Sequence, residues 1–250
     1  MKNLKTILPK NSGRSNGRVT VRHQGGRQKR YYREVDFGRT KRDQWGAIEE
    51  IQYDPNRNAN LALILYGDGD RRYILAAHEM KIGGRVMASE SAPFEVGNAL
   101  PLGKMPIGTY IHNIEIRVGK GGQMVRGAGS SAVIHGKDEK WVLVKLPSGE
   151  IKRFDPEAWA TVGQVSNIGY SAERVKNAGV NRRRGIRPTV RGTAQHPGSH
   201  PHGGGEGRSG VGMKYPKTPY GKPAVGKTRK RRKYSDKLIV SPRKPGKHSH

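Results

Sequence analysis

The sequence predicts a mainly β protein: two small all-β barrels in the middle, flanked by basic, irregular extensions at both ends. Three observations predict it. Short apolar and aromatic runs recur between residues 47 and 165, separated by Gly, Pro, Asp and Ser, the pattern of a small-barrel protein. Charge is uneven: residues 1–45 hold 13 Lys+Arg against 3 Asp+Glu, residues 46–170 hold 14 of each, and residues 171–250 hold 21 against 3. Hydrophobic residues make up 33% of the chain, below the roughly 45–50% of an ordinary globular domain, so one core cannot run from end to end.

The elements follow in order. AIEEIQYD (47–54) is the first strand candidate, with Ile48 and Ile51 apolar. LALILYGDGDRRYILA (61–76) reads as a hairpin in which Gly67-Asp68-Gly69-Asp70 supplies the positive-φ turn. KIGGRVMAS (81–89) is a Gly-containing strand of the kind that bends at a barrel corner. GNALPLGKMPIG (97–108) is Pro/Gly-rich without a clear period and reads as the join between the barrels. The second set begins with TYIHNIEIR (109–117), leading into alternation at Ile114, Ile116 and Val118. SAVIHG (131–136), the hairpin KWVLVKLPSGEIKRF (140–154) turning at Pro147-Ser148-Gly149, and ATVGQV (160–165) complete it. DPEAWATV (155–162) is expected to give a single helical turn, capped by Asp155 with Pro156 at its first position. The expected organisation is a basic arm over 1–30, a barrel over 31–96, a second over 97–172 and a Gly/Pro-rich extension over 173–250. Barrels of about 60–75 residues are marginal alone, so a bound partner is expected to help hold each together.

The whole excess of +28 lies on the two ends, a layout that calls for a polyanion to neutralise it. Nucleic acid fits best. An anionic membrane is disfavoured: no apolar run approaches the roughly 18–20 residues that span a bilayer, and the basic stretches are broken by Gly and Pro. MKNLKTILPK is too short and polar for a secretory signal. The absence of Cys excludes disulfides, thiolate zinc sites and cysteine nucleophiles.

Two motif matches fail on context. Gly221 to Thr228 fits the phosphate-loop pattern letter for letter, yet YPKTPY precedes it and RKRRK follows, leaving neither the strand nor the helix that the loop requires. Gly127-Ala-Gly129-Ser-Ser-Ala132 leads into a β-like run rather than a helix, which removes the dinucleotide reading.

Segments suited to RNA remain. GRVTVRHQGGRQKRYYREVDFGR (17–39) interleaves cations with aromatics. Arg22, Arg27, Lys29, Arg30, Arg33 and Arg39 are candidates to meet phosphates, and His23, Tyr31 and Tyr32 to stack on bases. One of the two tyrosines is expected to turn into the barrel, because adjacent strand residues face opposite sides. Gly25 and Gly26 let the backbone approach a sugar-phosphate chain. In NRRRGIRPTVRGTAQHP (181–197), Arg182, Arg183, Arg184, Arg187 and Arg191 crowd together, and Gly185, Pro188 and Gly192 are expected to forbid a regular helix. The tail GKTRKRRKYSDKLIVSPRKPGKH adds cations, Lys227 and Arg229 among them, without a core.

HPGSHPHGGGEGR (196–208) poses the sharpest question. His196, His200 and His202 suggest a metal site or an acid–base catalyst. Pro197, Gly198 and Pro201 deny the helix on which the i, i+4 pair His196 and His200 would converge, and Glu206 is the lone nearby carboxylate. No orienting partner for a catalytic imidazole is visible. The favoured reading is a loop that approaches RNA through His200, His202 and Arg208. Gly203, Gly204 and Gly205 are then needed because a Cβ would clash with the RNA.

GRVTVRHQGG, YDPNRNANLALILY, GNALPLGKMPIGT, HNIEI, GGQMVRGAG, LPSGE, GIRPTVRG and HPHGGGEGR occur in this order. Together they resemble the universal L-two family of large-subunit ribosomal proteins, from about Gly13 to Val240. The GEGR ending is similar to the bacterial and organellar branch. The resemblance implies an oligonucleotide-binding-type barrel, an SH3-like barrel and a long extension into RNA. It implies a structural rather than enzymatic role: early binding to large-subunit ribosomal RNA, with support for subunit association, tRNA placement and peptide-bond formation. Direct participation in peptidyl transfer, or metal binding, through the His200 region is the alternative. The implied partners are large-subunit RNA, small-subunit RNA at the subunit interface and neighbouring ribosomal proteins, with no membrane. No cofactor of its own is implied, Mg2+ entering only with bound RNA. The implied location is a bacterial cytoplasmic ribosome, or alternatively a chloroplast or mitochondrial one. The chain departs from the family in carrying Ser199 where an acid usually precedes the histidine, Tyr170 where bacterial relatives often have His, and a shorter N-terminal arm.

Overall fold

A computed structural model describes residues 4–226 and 233–244. The chain divides into two compact units. Among the described residues, the first comprises 4–9, 29–174 and 237–243 and contains both barrels; the second comprises 10–28, 175–226, 233–236 and 244. The segment expected as one basic arm, 1–30, is thus shared between them.

The first barrel is built on a four-stranded antiparallel sheet in the order Arg71–Leu75, Leu61–Tyr66, Trp45–Gln52, Arg85–Met87. Its register explains the odd three-residue spacing of Ile48 and Ile51. Ile48 pairs with Ile64 and Glu50 with Leu63, so the strand bulges between them. The extra residue resets the alternation, and Ile51 packs against the same core as Ile48. In the hairpin turn only Gly69 needs positive φ (+80°); its N–H donates to Tyr66 O at 2.9 Å.

The second barrel carries a seven-stranded sheet ordered Ile239–Ser241, Ile151–Phe154, Val142–Lys145, Ala132–Lys137, Tyr110–His112, Trp159–Val162, Ala99–Pro101. Three sequence expectations are corrected here. The stretch 97–108 is no mere join: Ala99–Pro101 pairs with Trp159–Val162, and Leu102 and Met105 lie fully buried in the core with Ile111, Ile114 and Ile134. Its irregular pattern reflects burial on both sides over only a few residues, which leaves no period to detect. DPEAWATV forms a turn and then a strand: the Asp155 carboxylate accepts the Glu157 N–H at 2.9 Å, and Trp159–Val162 is buried throughout. The basic tail does reach the folded body, since Ile239–Ser241 pairs with Ile151–Phe154 at the sheet edge.

TYIHNIEIR is cut at Asn113, whose φ of +51° ends Tyr110–His112 and starts the short strand Ile114–Glu115, paired with Gly122–Met124. The two barrels share a small cluster of Ala88, Ala99 and Trp159 and are tied by backbone bonds, Ser89 N–H to Ala99 O at 3.1 Å and His78 N–H to Gln164 O at 2.8 Å. No described helix is long and apolar enough to cross a membrane.

Candidate nucleic-acid interface

The second unit assembles both basic regions from opposite ends of the chain. Its helix α1, Ala178–Arg184, carries Arg182, Arg183 and Arg184 in its last turn. This corrects the expectation that Gly185 forbids a helix: Gly185 terminates one. At φ +93° it closes a Schellman ending, its N–H donating to Arg182 O (3.0 Å) while the Ile186 N–H donates to Asn181 O (2.9 Å). Cations at a helix C-terminus also meet the negative end of the backbone dipole.

The chain leaving α1 runs antiparallel to the N-terminal segment. Gln28 N–H donates to Arg183 O (2.8 Å), Gly25 N–H to Gly185 O (2.8 Å) and Arg187 N–H to His23 O (3.0 Å), with a bridge between Gln24 and Ile186. The His23 ring Nδ1 donates to Pro188 O at 3.1 Å, so this imidazole is anchored within the unit. Gly26, Arg27, Gln28, Arg182 and Arg183 line an open groove of about 580 Å³. A second hollow, about 250 Å³, takes in Arg14, Arg22 and Arg187. Arg14 was missed from the sequence, although its signal is present: Asn16-Gly17, both at positive φ, turn the hairpin Arg14–Ser15 to Arg18–Val19, and Asn-Gly is a strong short-range hairpin signal.

The histidine loop is held by its own backbone. His196 Nδ1 accepts the Gly198 N–H (3.1 Å), His200 Nδ1 the His202 N–H (3.0 Å) and His202 Nε2 the Lys217 N–H (2.8 Å). Each ring therefore uses its lone pair inside the loop and keeps its proton on the other nitrogen. His200 is buried and its ring lies on Gly192, where a Cβ would come within 2.5 Å of it. Burial, then the neighbouring His202 and Arg22, hold the His200 pKa below the usual histidine value. Among the described residues no group of three His, Cys, Asp or Glu side chains is placed to share a metal ion.

The glycines also have internal reasons. A Cβ on Gly203 would sit 2.5 Å from Gln195 O and 2.6 Å from His196 O, so the loop itself excludes a side chain there, whatever lies outside. Gly204 and Gly205 adopt φ of +90° and +97°. Gly203→Ala is expected to cost about 2 kcal/mol, because rigid carbonyls must move. Gly210→Ala, with open space around it, is expected to be neutral. Thermal melts and amide exchange at Gly203 and Gly204 would check both; equal melts for the two variants would refute the packing argument.

Of the other candidates, Arg187, Arg191 and Arg208 are exposed. Lys29, Arg30, Arg33 and Arg39 belong to the first unit. Lys29 is exposed, its Nζ 5.8 Å from the Tyr31 ring centroid. Arg33 is engaged with Gln52 Oε1 (3.2 Å) and Asp54 (3.7 Å). Arg39 is not a surface phosphate contact: it is 3% exposed and donates to Gly97 O at 2.9 Å, joining the first barrel to the start of the second. The expectation that one of Tyr31 and Tyr32 turns inward also fails. Both are exposed, because Arg30–Arg33 pairs with Lys5–Leu8 as a two-stranded ribbon with no core to receive either face. Lys227 and Arg229 lie outside the described residues.

Residues 1–88 match the family described as Ribosomal Proteins L2, RNA binding N-terminal domain, and residues 95–221 match Ribosomal Proteins L2, C-terminal domain. The first is an oligonucleotide-binding-like barrel and the second SH3-like. Two such barrels in one unit and arginine-rich segments from both ends gathered in the other agree with that match, and the chain belongs to the ribosomal protein L2 family, RNA-binding proteins of the large ribosomal subunit.

Proposed function

We propose that the protein is a primary binder of large-subunit ribosomal RNA that supports subunit association, tRNA placement and peptide-bond formation without performing chemistry. The observation that carries this reading is the assembly of arginines from both chain ends into one grooved unit, the arrangement that phosphate neutralisation calls for. The histidine loop supports the non-enzymatic part. A catalytic base needs a free lone pair, and the His200 Nδ1 lone pair is taken by the His202 N–H. The ring is then a positioning element whose remaining N–H donates to RNA or stays within the loop. Mg2+ accompanies the RNA rather than a protein site, and small-subunit RNA and neighbouring ribosomal proteins complete the partners. The GEGR ending favours a ribosome of the bacterial and organellar type.

Binding to large-subunit RNA is expected to weaken steeply with salt, the log–log slope rising by about 0.7–0.9 for each phosphate engaged. A flat salt response, or equal affinity for unrelated RNA of the same length, would defeat the reading. The protein should sediment with large subunits; a free pool bound to miscellaneous RNA would point instead to a general RNA chaperone. Assembled particles carrying His200→Gln should form peptide bonds at near-normal rates, and a collapse of the rate with assembly intact would restore the catalytic alternative.

A further inference from the structure

A cleft of about 470 Å³ opens in the first unit where its two barrels meet. Its volume lies in the range of clefts that take small ligands, roughly 300–1,000 Å³. Backbone bonds fix the walls. The His78 N–H donates to Gln164 O (2.8 Å), the Gly97 N–H to Val162 O (3.0 Å) and the Gly163 N–H to Tyr110 O (2.7 Å). Val96 and the buried Val162 supply an apolar floor. Gly163 lets that floor close up: its φ is +102°, and a Cβ there would come within 2.9 Å of Val96 Cγ1.

The rim is weighted toward acceptors. Glu79 is exposed on it and makes no ion pair among the described residues. The Thr109 hydroxyl spends its proton on Pro106 O at 2.8 Å and keeps its lone pairs. Gln164 Nε2 donates to Gly129 O at 2.8 Å, which fixes the amide and leaves Oε1 to accept. Tyr110 adds an aromatic ring, 60% exposed. The chain has 48 Lys+Arg, yet among the described residues none lines this cleft. A phosphate entering it would meet a carboxylate and no counter-charge. An alkylammonium group fits instead. Its stem lies on the valines, and its head reaches a carboxylate and the face of a tyrosine. The three acceptors of Glu79, Gln164 and Thr109 match in number the three N–H donors of an ammonium.

We infer that the cleft is a docking site for a basic protein segment, which inserts the side chain of one lysine between the barrels. Charge complementarity selects the occupant. Protein segments that thread through ribosomal RNA carry excess cations to neutralise phosphate, so neighbouring ribosomal proteins present such side chains. The ribosomal setting of the partner rests on the reading above; the chemistry of the cleft does not, and it uses none of the arginine-rich segments.

The test uses the full chain and the capped peptide Ala-Leu-Lys-Leu-Ala, with norleucine or glutamate in place of lysine as controls. Binding is read from the backbone amide signals of Thr109, Tyr110, Gly163 and Gln164. The lysine peptide is expected to shift these signals and to bind about tenfold more tightly than either control. Glu79→Gln should weaken it about fivefold and Tyr110→Ala about threefold. Glu139→Gln, exposed elsewhere on the same unit, should change nothing. No shift with the lysine peptide, equal binding of the norleucine peptide, or an equal loss in Glu139→Gln would overturn the site. So would pentylamine binding as tightly as the peptide, since the cleft would then take a free amine rather than a chain, or single-stranded RNA moving the same amides. A wild-type chain with no preference for large-subunit RNA would instead overturn the ribosomal setting and leave the cleft standing.

Discussion

Asp54→Ala is expected to lower the stability of the barrel unit by about 3 kcal/mol, the low end of the range for breaking a buried ion pair from one side. The Asp54 side chain is fully buried and several donors converge on it. Arg57 Nε donates to it at 2.6 Å, Asn56 N–H and Nδ2 donate at 3.0 and 3.1 Å, and Arg33 lies at 3.7 Å. Asn56 in turn donates to Tyr31 O at 2.7 Å. One carboxylate therefore fastens the YDPNRN loop to the strand Arg30–Arg33. Removing it takes the acceptor from Arg57 Nε and the Asn56 N–H and the counter-charge from Arg33, while Arg33 keeps Gln52 and Asn56 Nδ2 keeps Tyr31 O. Both arginine side chains keep some exposure, 13% and 19%, so water recovers part of the loss and the upper end of the range is not reached. Asp54→Asn retains an acceptor and is expected to cost less. Urea denaturation of the full chain measures both; a loss below about 1 kcal/mol for Asp54→Ala would show that the loop is held by other contacts.

The second large effect is acid destabilisation through His112. This imidazole is fully buried and donates from Nδ1 to Gly163 O at 2.9 Å, while its Nε2 has no partner. Burial, opposed by the Gly163 bond and assisted by the buried Arg39 guanidinium, pushes its pKa down to about 4. The unfolded chain takes up the proton near pH 6.5. Stability is therefore full above about pH 6.5, falls as pH drops below it, and has lost the whole contribution below about 4. Between pH 7.5 and 4.5 the loss should be about 2–3 kcal/mol. His112→Asn keeps a donor for Gly163 O and removes the titration, so its stability should vary with pH by that much less than the wild type's. Identical pH profiles for the two proteins would exclude His112 as the source.

Arg39 and Arg33 show why part of the interface was misread in sequence. Both sit in a run that alternates cations and aromatics, and nothing local separates an arginine that faces solvent from one that satisfies a distant carbonyl or carboxylate. Their partners, Gly97 for Arg39 and Asp54 for Arg33, are far along the chain. The same limit hid the strand Ala99–Pro101, which has no amphipathic period because both its faces are covered. The loop glycines failed differently. Gly203 was recognised as a position that tolerates no Cβ, and the carbonyl oxygens of Gln195 and His196 already obstruct it within the loop, a reason that the sequence did not display. By contrast, the hairpin at 61–76 and the strands around Ile111, Ile134 and Val144 were legible because short alternating runs ended by Gly, Pro or Asp specify them locally.

By itself the sequence determined the class, the division into an electrically balanced β body with basic ends, and the absence of any cysteine chemistry, since these follow from composition and short-range periodicity. Tertiary structure decided the pairing of residues 23–28 with 183–188, the seating of His200 on Gly192, and which cations are exposed to a partner. The first depends on residues more than 150 positions apart meeting at hydrogen-bond distance, as His23 meets Pro188, and the other two on contacts that no local pattern encodes.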